Sequence, residues 1–109
     1  MKIAILMFGT EAEKPTLKLK MDKLQRQLNS IKGNQCEVVY SINDTESIEE
    51  KKEFLLCQTL SRHYVWCDVT TEVDNYFLLK RLNMIKQGKG QSQLLQLGVF
   101  QKPVHPILN

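Results

Sequence analysis

Short apolar runs alternate along the chain with longer segments in which apolar residues recur every three or four positions. Residues 2–8 form a nearly continuous apolar run that ends at Gly9 and Thr10, a pattern typical of a strand buried on both faces. Similar runs follow at residues 36–42 and 64–67. We expect all three runs to be parallel strands, and the first of them to be the central strand.

A helix is predicted after each of these strands. The first helix has an apolar face with steps of four and three residues and is closed by Gly33. The residues of this face are Leu17, Met21, Leu24, Leu28 and Ile31. Ser47 and Glu50 form a capping box that starts the second helix, which we expect to run to about residue 61. Its apolar residues are Ile48, Leu55, Leu56 and Leu60.

The third helix is predicted over roughly residues 72–87, where Thr71 and Asp74 repeat the capping pattern. Residues 94–100 predict either a fourth strand or a packed extended arm. This alternation of strands and helices predicts an α/β fold with three layers: a small, mostly parallel sheet of three to four strands, with crossover helices packed on it.

The composition suits one small domain and excludes several classes of protein. With 109 residues, a net charge of +3 and 7% aromatic residues, dedicated nucleic-acid binding is not implied. The apolar run at residues 3–8 is too short for a signal peptide or a membrane span, so we expect a cytoplasmic protein or a component of a soluble or virion assembly. Cys36, Cys57 and Cys67 lack C-x-x-C spacing and are expected to be reduced and structural.

Candidate chemistry is expected at the carboxyl edge, by which we mean the edge of the sheet where the parallel strands end and where ligands bind in such folds. Gly9-Thr10, Asn43-Asp44 and Asp68 follow the three predicted strands. The residues after the first strand fit neither a dinucleotide fingerprint nor a P-loop. His63 and His105 have no partner at metal-ligand spacing and are expected to be surface or packed residues.

Three segments carry a resemblance to a known family. They read SIEEKKEFLL at residues 47–56, YVWCDVT at 64–70 and NYF at 75–77. Together with the order of elements over residues 2 to about 87, they resemble the family 2 glycosyltransferases with a GT-A fold. Members of that family have a segment of the type G-E-K-R-N-x-L-L, followed by G-x-Y-I-x-F-x-D-x-D-D and by a helix that begins near a tyrosine. The resemblance implies a Rossmann-like, nucleotide-binding GT-A half domain at residues 1–90, followed by a C-terminal strand or docking arm at residues 91–109.

The resemblance also implies a ligand. A nucleotide-sugar would be bound at the carboxyl edge, with Mg²⁺ or Mn²⁺ on its diphosphate and Asp68 as the metal ligand. The implied binding residues are Thr10, Asp44, Lys51, Lys52 and Asp68.

The chain departs from the family at several positions. Val69 and Thr70 follow Asp68 where the family has the rest of its D-x-D pair, and Met7-Phe8-Gly9-Thr10 replaces its Pro-Thr-Tyr-Asn turn. The family's acceptor half and catalytic base lie beyond this segment, and residues 94–109 contain no Asp or Glu. We therefore assign no catalytic residue and no certain cofactor, and we expect the shortness of the chain to oppose catalysis.

Three functions stay open on this basis. The favoured one is a catalytically inactive glycosyltransferase-like domain that acts as a binding or assembly subunit, with a protein partner or as a homo-oligomer. The second is a minimal metal-dependent glycosyltransferase that uses Asp44 and Asp68. The third is a small viral or mobile-element interaction protein on an α/β scaffold. Both aspartates also fit plain structural roles in turns and helix caps.

Overall fold

The computed structural model describes residues 2–29, 35–71, 73 and 100–102. The strands are β1 (Lys2–Gly9), β2 (Gln35–Ile42), β3 (His63–Cys67) and β4 (Phe100–Gln101), and the helices are α1 (Lys14–Asn29) and α2 (Ile48–Gln58), with a 3₁₀ turn at Glu11–Glu13. The predicted third helix, apart from Val73, which is not helical, lies outside the described residues. So do Ile31, Gly33, Asp74, His105 and residues 94–99.

The sheet has the strand order β2-β1-β3-β4. β1 pairs in parallel with both β2 and β3, so that Leu6 lies between Val39 on one side and Trp66 on the other. The short β4 is antiparallel to β3. These pairings confirm an α/β fold with a small, mostly parallel sheet, and they confirm β1 as the central strand.

α1 packs on the face of the sheet that carries the odd-numbered residues of β1. Ile3, Ile5 and Met7 form one core cluster with residues from α1 and β3. The α1 residues of this cluster are Leu17, Leu24 and Leu28, with Met21 partly buried beside them. The predicted apolar face of the first helix is therefore confirmed over the residues that are described.

α2 packs on the face that carries the even-numbered residues of β1, because successive side chains of a strand point to opposite faces. Ala4, Leu6 and Phe8 form the second core cluster with Leu55 and Tyr64. The ring of Tyr64 also stacks on that of Phe100 at 5.6 Å between centroids, which fixes β4 beside β3. Neither α1 nor α2 is long and apolar enough to cross a bilayer, nor is any other helix in the described part of the chain.

The second helix is shorter than predicted. It ends at Gln58, because Thr59 has extended backbone angles (φ −76°, ψ 141°); the N–H of Thr59 still makes a helical bond to the carbonyl of Leu55. Leu60 thus lies beyond the helix and is 84% exposed, and Ile48 is 56% exposed. The expectation that Leu60 belongs to this helix is wrong, whereas Ile48 is its first residue, as expected.

All three cysteines are free. Burial, with some help from neighbouring carboxylates, raises the pKa of Cys36 and of Cys67 to about 11, so both are inert thiols at neutral pH. Cys57 is exposed on α2, which corrects the expectation that all three cysteines are structural.

Candidate functional site at the carboxyl edge of the sheet

The ends of β1 and β2 are tied together by hydrogen bonds. Gly9 is in register with Ile42, and the N–H of Asn43 donates to the carbonyl of Gly9 at 3.2 Å. The N–H of Glu11 then donates to Asp44 Oδ1 at 3.1 Å. Asp44 therefore lies at the carboxyl edge as predicted, where its carboxylate joins the loop after β2 to the turn after β1.

Gly9 and Thr10 form the junction between β1 and the 3₁₀ turn. A Cβ at Gly9 would lie 2.6 Å from Leu17 Cδ1 and 2.8 Å from Glu13 Oε1, so a larger residue here would require the ends of these two side chains to shift. The N–H of Thr10 donates to Glu13 Oε1 at 3.0 Å, and its carbonyl accepts from the N–H of Glu13. Thr10 thus begins this turn through its backbone.

The predicted capping box at the start of α2 is confirmed. The N–H of Ser47 donates to Glu50 Oε1 at 2.9 Å, and the N–H of Glu50 donates to Ser47 Oγ at 3.1 Å. Ahead of it, Asn43 Oδ1 accepts from the N–H groups of Thr45 and Glu46, which shapes the loop as an Asx turn. This local structure places the neighbouring residues Lys51 and Lys52 in the first turns of the helix.

Lys51 is buried, with 4% of its surface exposed. Its ammonium donates to the carbonyl of Gly9 at 2.9 Å and to that of Asn43 at 2.7 Å. These carbonyls end β1 and β2, where regular sheet pairing stops. Lys51 therefore links the ends of the two strands through hydrogen bonds.

Lys52 lies on the β3 side of β1. Its ammonium is 5.4 Å from the ring centroid of Phe8 and 5.0 Å from that of Trp66, within the range of cation–π attraction. The two rings meet edge to face at 5.7 Å. Lys52 is only partly buried, so its ammonium is held on an aromatic pair at the surface.

Asp68 follows β3 and is bonded to the residues just after it. Its Oδ1 accepts from the N–H of Thr70 at 2.9 Å, from the hydroxyl of Thr70 at 2.6 Å and from the hydroxyl of Thr71 at 3.2 Å. Burial raises the pKa of Asp68, but these bonds and the charge of Lys52 outweigh it, so the pKa lies below its usual value of 3.8. The carboxylate is therefore ionised at neutral pH and organises the turn that follows the strand.

The predicted site residues thus form two groups. Thr10, Asp44 and Lys51 lie at the boundary of β1 and β2, whereas Lys52 and Asp68 lie on the β3 side. Among the described residues, no three His, Cys, Asp or Glu side chains lie close enough to hold a metal ion. The arrangement offers one accessible ammonium beside one carboxylate, which suits the binding of a polar group.

The aromatic contacts of Lys52 were missed by the sequence reasoning. Trp66 is in register with Leu6, two residues before Phe8 on the same face of β1, so the alternation of the two strands would have predicted that the rings are neighbours. The contact of Lys52 with these rings could not be predicted from the pattern, because the position of Lys52 depends on how α2 crosses the sheet.

Comparisons with protein-family models, with curated proteins and with solved structures found no match to this chain.

Proposed function

We propose that this chain is a non-catalytic binding domain that acts as a subunit of a protein assembly, on a scaffold resembling the nucleotide-binding half of a family 2 glycosyltransferase. The observation that carries the proposal is the internal bonding at the carboxyl edge. Asp68 Oδ1 accepts three hydrogen bonds from Thr70 and Thr71, and Asp44 accepts one from Glu11. A metal or a nucleotide would have to compete with these bonds.

The replacement of the second acidic position by Thr70 supports the same conclusion. A divalent cation prefers several hard, anionic oxygen ligands. The Thr70 hydroxyl instead donates its proton to Asp68 Oδ1 at 2.6 Å, so this position stabilises the turn and supplies no second carboxylate. Lys51, the first lysine of the implied basic pair, is likewise committed to two backbone carbonyls.

The outer edge of β2 suits assembly. Within the described residues, β2 is the terminal strand of the sheet and pairs with β1 alone. It is 8 residues long, and Tyr40 on it is 63% exposed. An edge strand of this length leaves N–H and C=O groups that can pair with another strand. Symmetric dimers are the commonest assemblies of soluble chains, so the partner we propose is a second copy of this chain.

Sedimentation velocity and native mass spectrometry across a micromolar to millimolar concentration series test this proposal. We expect a concentration-dependent dimer, and we expect Tyr40→Lys to weaken it about tenfold or more, because a charged edge opposes strand pairing. Leu60→Lys is the matched control, since Leu60 is even more exposed but lies outside the strands. A monomer at every concentration would contradict the proposal, as would equal effects of the two variants.

Calorimetric titration tests the non-catalytic part separately. With UDP- and GDP-sugars and Mn²⁺, we expect no binding heat in the wild type or in Asp68→Ala. Metal-dependent binding that is lost in Asp68→Ala would overturn the proposal and favour a minimal nucleotide-sugar transferase.

A further inference from the structure

A cleft of about 360 Å³ lies between α1 and β2, on the face of the sheet that α1 covers. Its floor is apolar: Met7 is buried, and Met21, Val38 and Ile42 are partly buried and pack against the same core cluster. None of the residues that line it belongs to the group at the carboxyl edge. The cleft is therefore a separate feature, with a volume in the range of small-molecule sites.

The mouth of the cleft is polar and positively charged. Lys14 and Lys18 line it from α1, and Tyr40 lines it from β2. Both lysines are exposed, and among the described residues neither ammonium has a carboxylate or hydrogen-bond partner. They are four residues apart on one helix face, where two like charges destabilise a helix. An anion bound between them would relieve this repulsion.

We propose that this cleft binds a small amphipathic anion, with an apolar body on the floor and a single carboxylate or phosphate head group between Lys14 and Lys18. The volume of about 360 Å³ lies at the lower end of the range for small-molecule sites, so the ligand we propose is a small one. The Tyr40 hydroxyl supplies a further donor to the head group. The proposal does not depend on the function proposed above, which concerns the outer edge of β2 and the carboxyl edge; Tyr40 is shared by both proposals, so the variants used below leave it unchanged.

The test uses the full chain with methyl-labelled methionines and four probes: octanoate, octyl phosphate, octanol and acetate. Met7 and Met21 lie on the floor, and their methyl resonances can be assigned with Met7→Leu and Met21→Leu, which conserve side-chain volume. We expect octanoate, octyl phosphate or both to shift these two resonances in a saturable way. Octanol should bind at least about tenfold more weakly, because it lacks a charge-assisted contact, and acetate should not shift the resonances.

Charge variants on α1 distinguish a specific site from general attraction. Lys14→Gln with Lys18→Gln should lower the affinity for the anionic probes about tenfold or more and leave that for octanol unchanged. Lys23→Gln with Arg26→Gln is the matched control, because both residues are exposed on the same helix but do not line the cleft. The proposal is overturned if neither anion shifts the floor methionines, if octanol binds as tightly as octanoate, or if the two double variants lose affinity equally.

Discussion

The neighbouring lysines of α2 provide a paired test of how the carboxyl edge is held together. Lys51 is 4% exposed and donates to the carbonyls of Gly9 and Asn43, whereas Lys52 is partly buried over two aromatic rings. Replacing each in turn by methionine removes the same charge and keeps an unbranched side chain of similar length. The two variants therefore differ mainly in which contacts are lost.

The structure leads us to expect a much larger cost for Lys51→Met. Each hydrogen bond from a charged group is worth about 1.5–3 kcal/mol. Part of the loss is offset, because burying an ammonium is itself unfavourable, and the carbonyl of Gly9 keeps its bond from the N–H of Asn43. We expect a net loss of about 2–4 kcal/mol. For Lys52→Met, which loses two cation–π contacts at the surface, we expect about 1 kcal/mol.

Urea denaturation measures both losses. The chain has a single tryptophan, Trp66, whose fluorescence reports unfolding of β3, and circular dichroism supplies a second probe that does not depend on the contact with Lys52. The thermal midpoint should fall by about 4 °C or more for each kcal/mol in a domain of this size. The reasoning is refuted if Lys51→Met costs less than about 1 kcal/mol, or no more than Lys52→Met does.

Three further outcomes are expected, each measured as the free energy of unfolding. Leu24→Ala should cost about 2–4 kcal/mol, because Leu24 is 1% exposed in the core beneath α1. Leu19→Ala, at a position that is 67% exposed, should cost less than about 0.5 kcal/mol. Equal costs of the two substitutions would contradict the packing of this helix. Asp44→Asn should change stability by less than about 0.5 kcal/mol, since the amide oxygen can still accept from Glu11, and a larger loss would show that the charge itself is needed. Burial raises the pKa of Glu37, but hydrogen bonds from Thr59 and Ser61 hold this pKa below its usual value of 4.5. The unfolded chain therefore binds the proton more readily, and stability should be lost as the pH falls below about 4.5 and through the folded-state pKa. The loss should be less steep in Glu37→Gln, and identical slopes in the two proteins would contradict the assignment.

Much of the fold follows from the sequence because its signals are local. The apolar run before Gly9 predicted a central strand, and the spacing of Leu17, Leu24 and Leu28 predicted the helix that covers one face of it. The boundary of α2 was predicted wrongly because its cause is not local. Thr59 leaves the helix while its hydroxyl bonds to Glu37 on β2, a residue far away in the sequence, and no helix-period pattern contains that information.

The sequence predicted where the candidate site residues lie, but it did not predict which hydrogen bonds they make. Asp44 and Asp68 lie at the ends of β2 and β3, as the parallel sheet requires. Which partner each carboxylate takes depends on loop geometry within a few ångströms. Thr70 and Thr71 can reach Asp68 only because the chain turns immediately after β3, so that both hydroxyls meet one oxygen. Composition and spacing alone leave both a ligand site and a turn open.

The two described segments that resemble the family 2 glycosyltransferases, residues 47–56 and 64–70, have structural roles in this chain, whereas residues 75–77 lie outside the described residues. Ser47 and Glu50 start α2, Lys51 closes the boundary between β1 and β2, and Asp68 organises the turn after β3. A ligand at the carboxyl edge would draw on groups whose removal already weakens the fold, so loss of binding in a variant there has two explanations unless stability is measured beside it. Lys52 and Asp44 are the exceptions, because we expect Lys52→Met to cost about 1 kcal/mol and Asp44→Asn less than about 0.5 kcal/mol. These are therefore the substitutions that separate binding from folding at this edge.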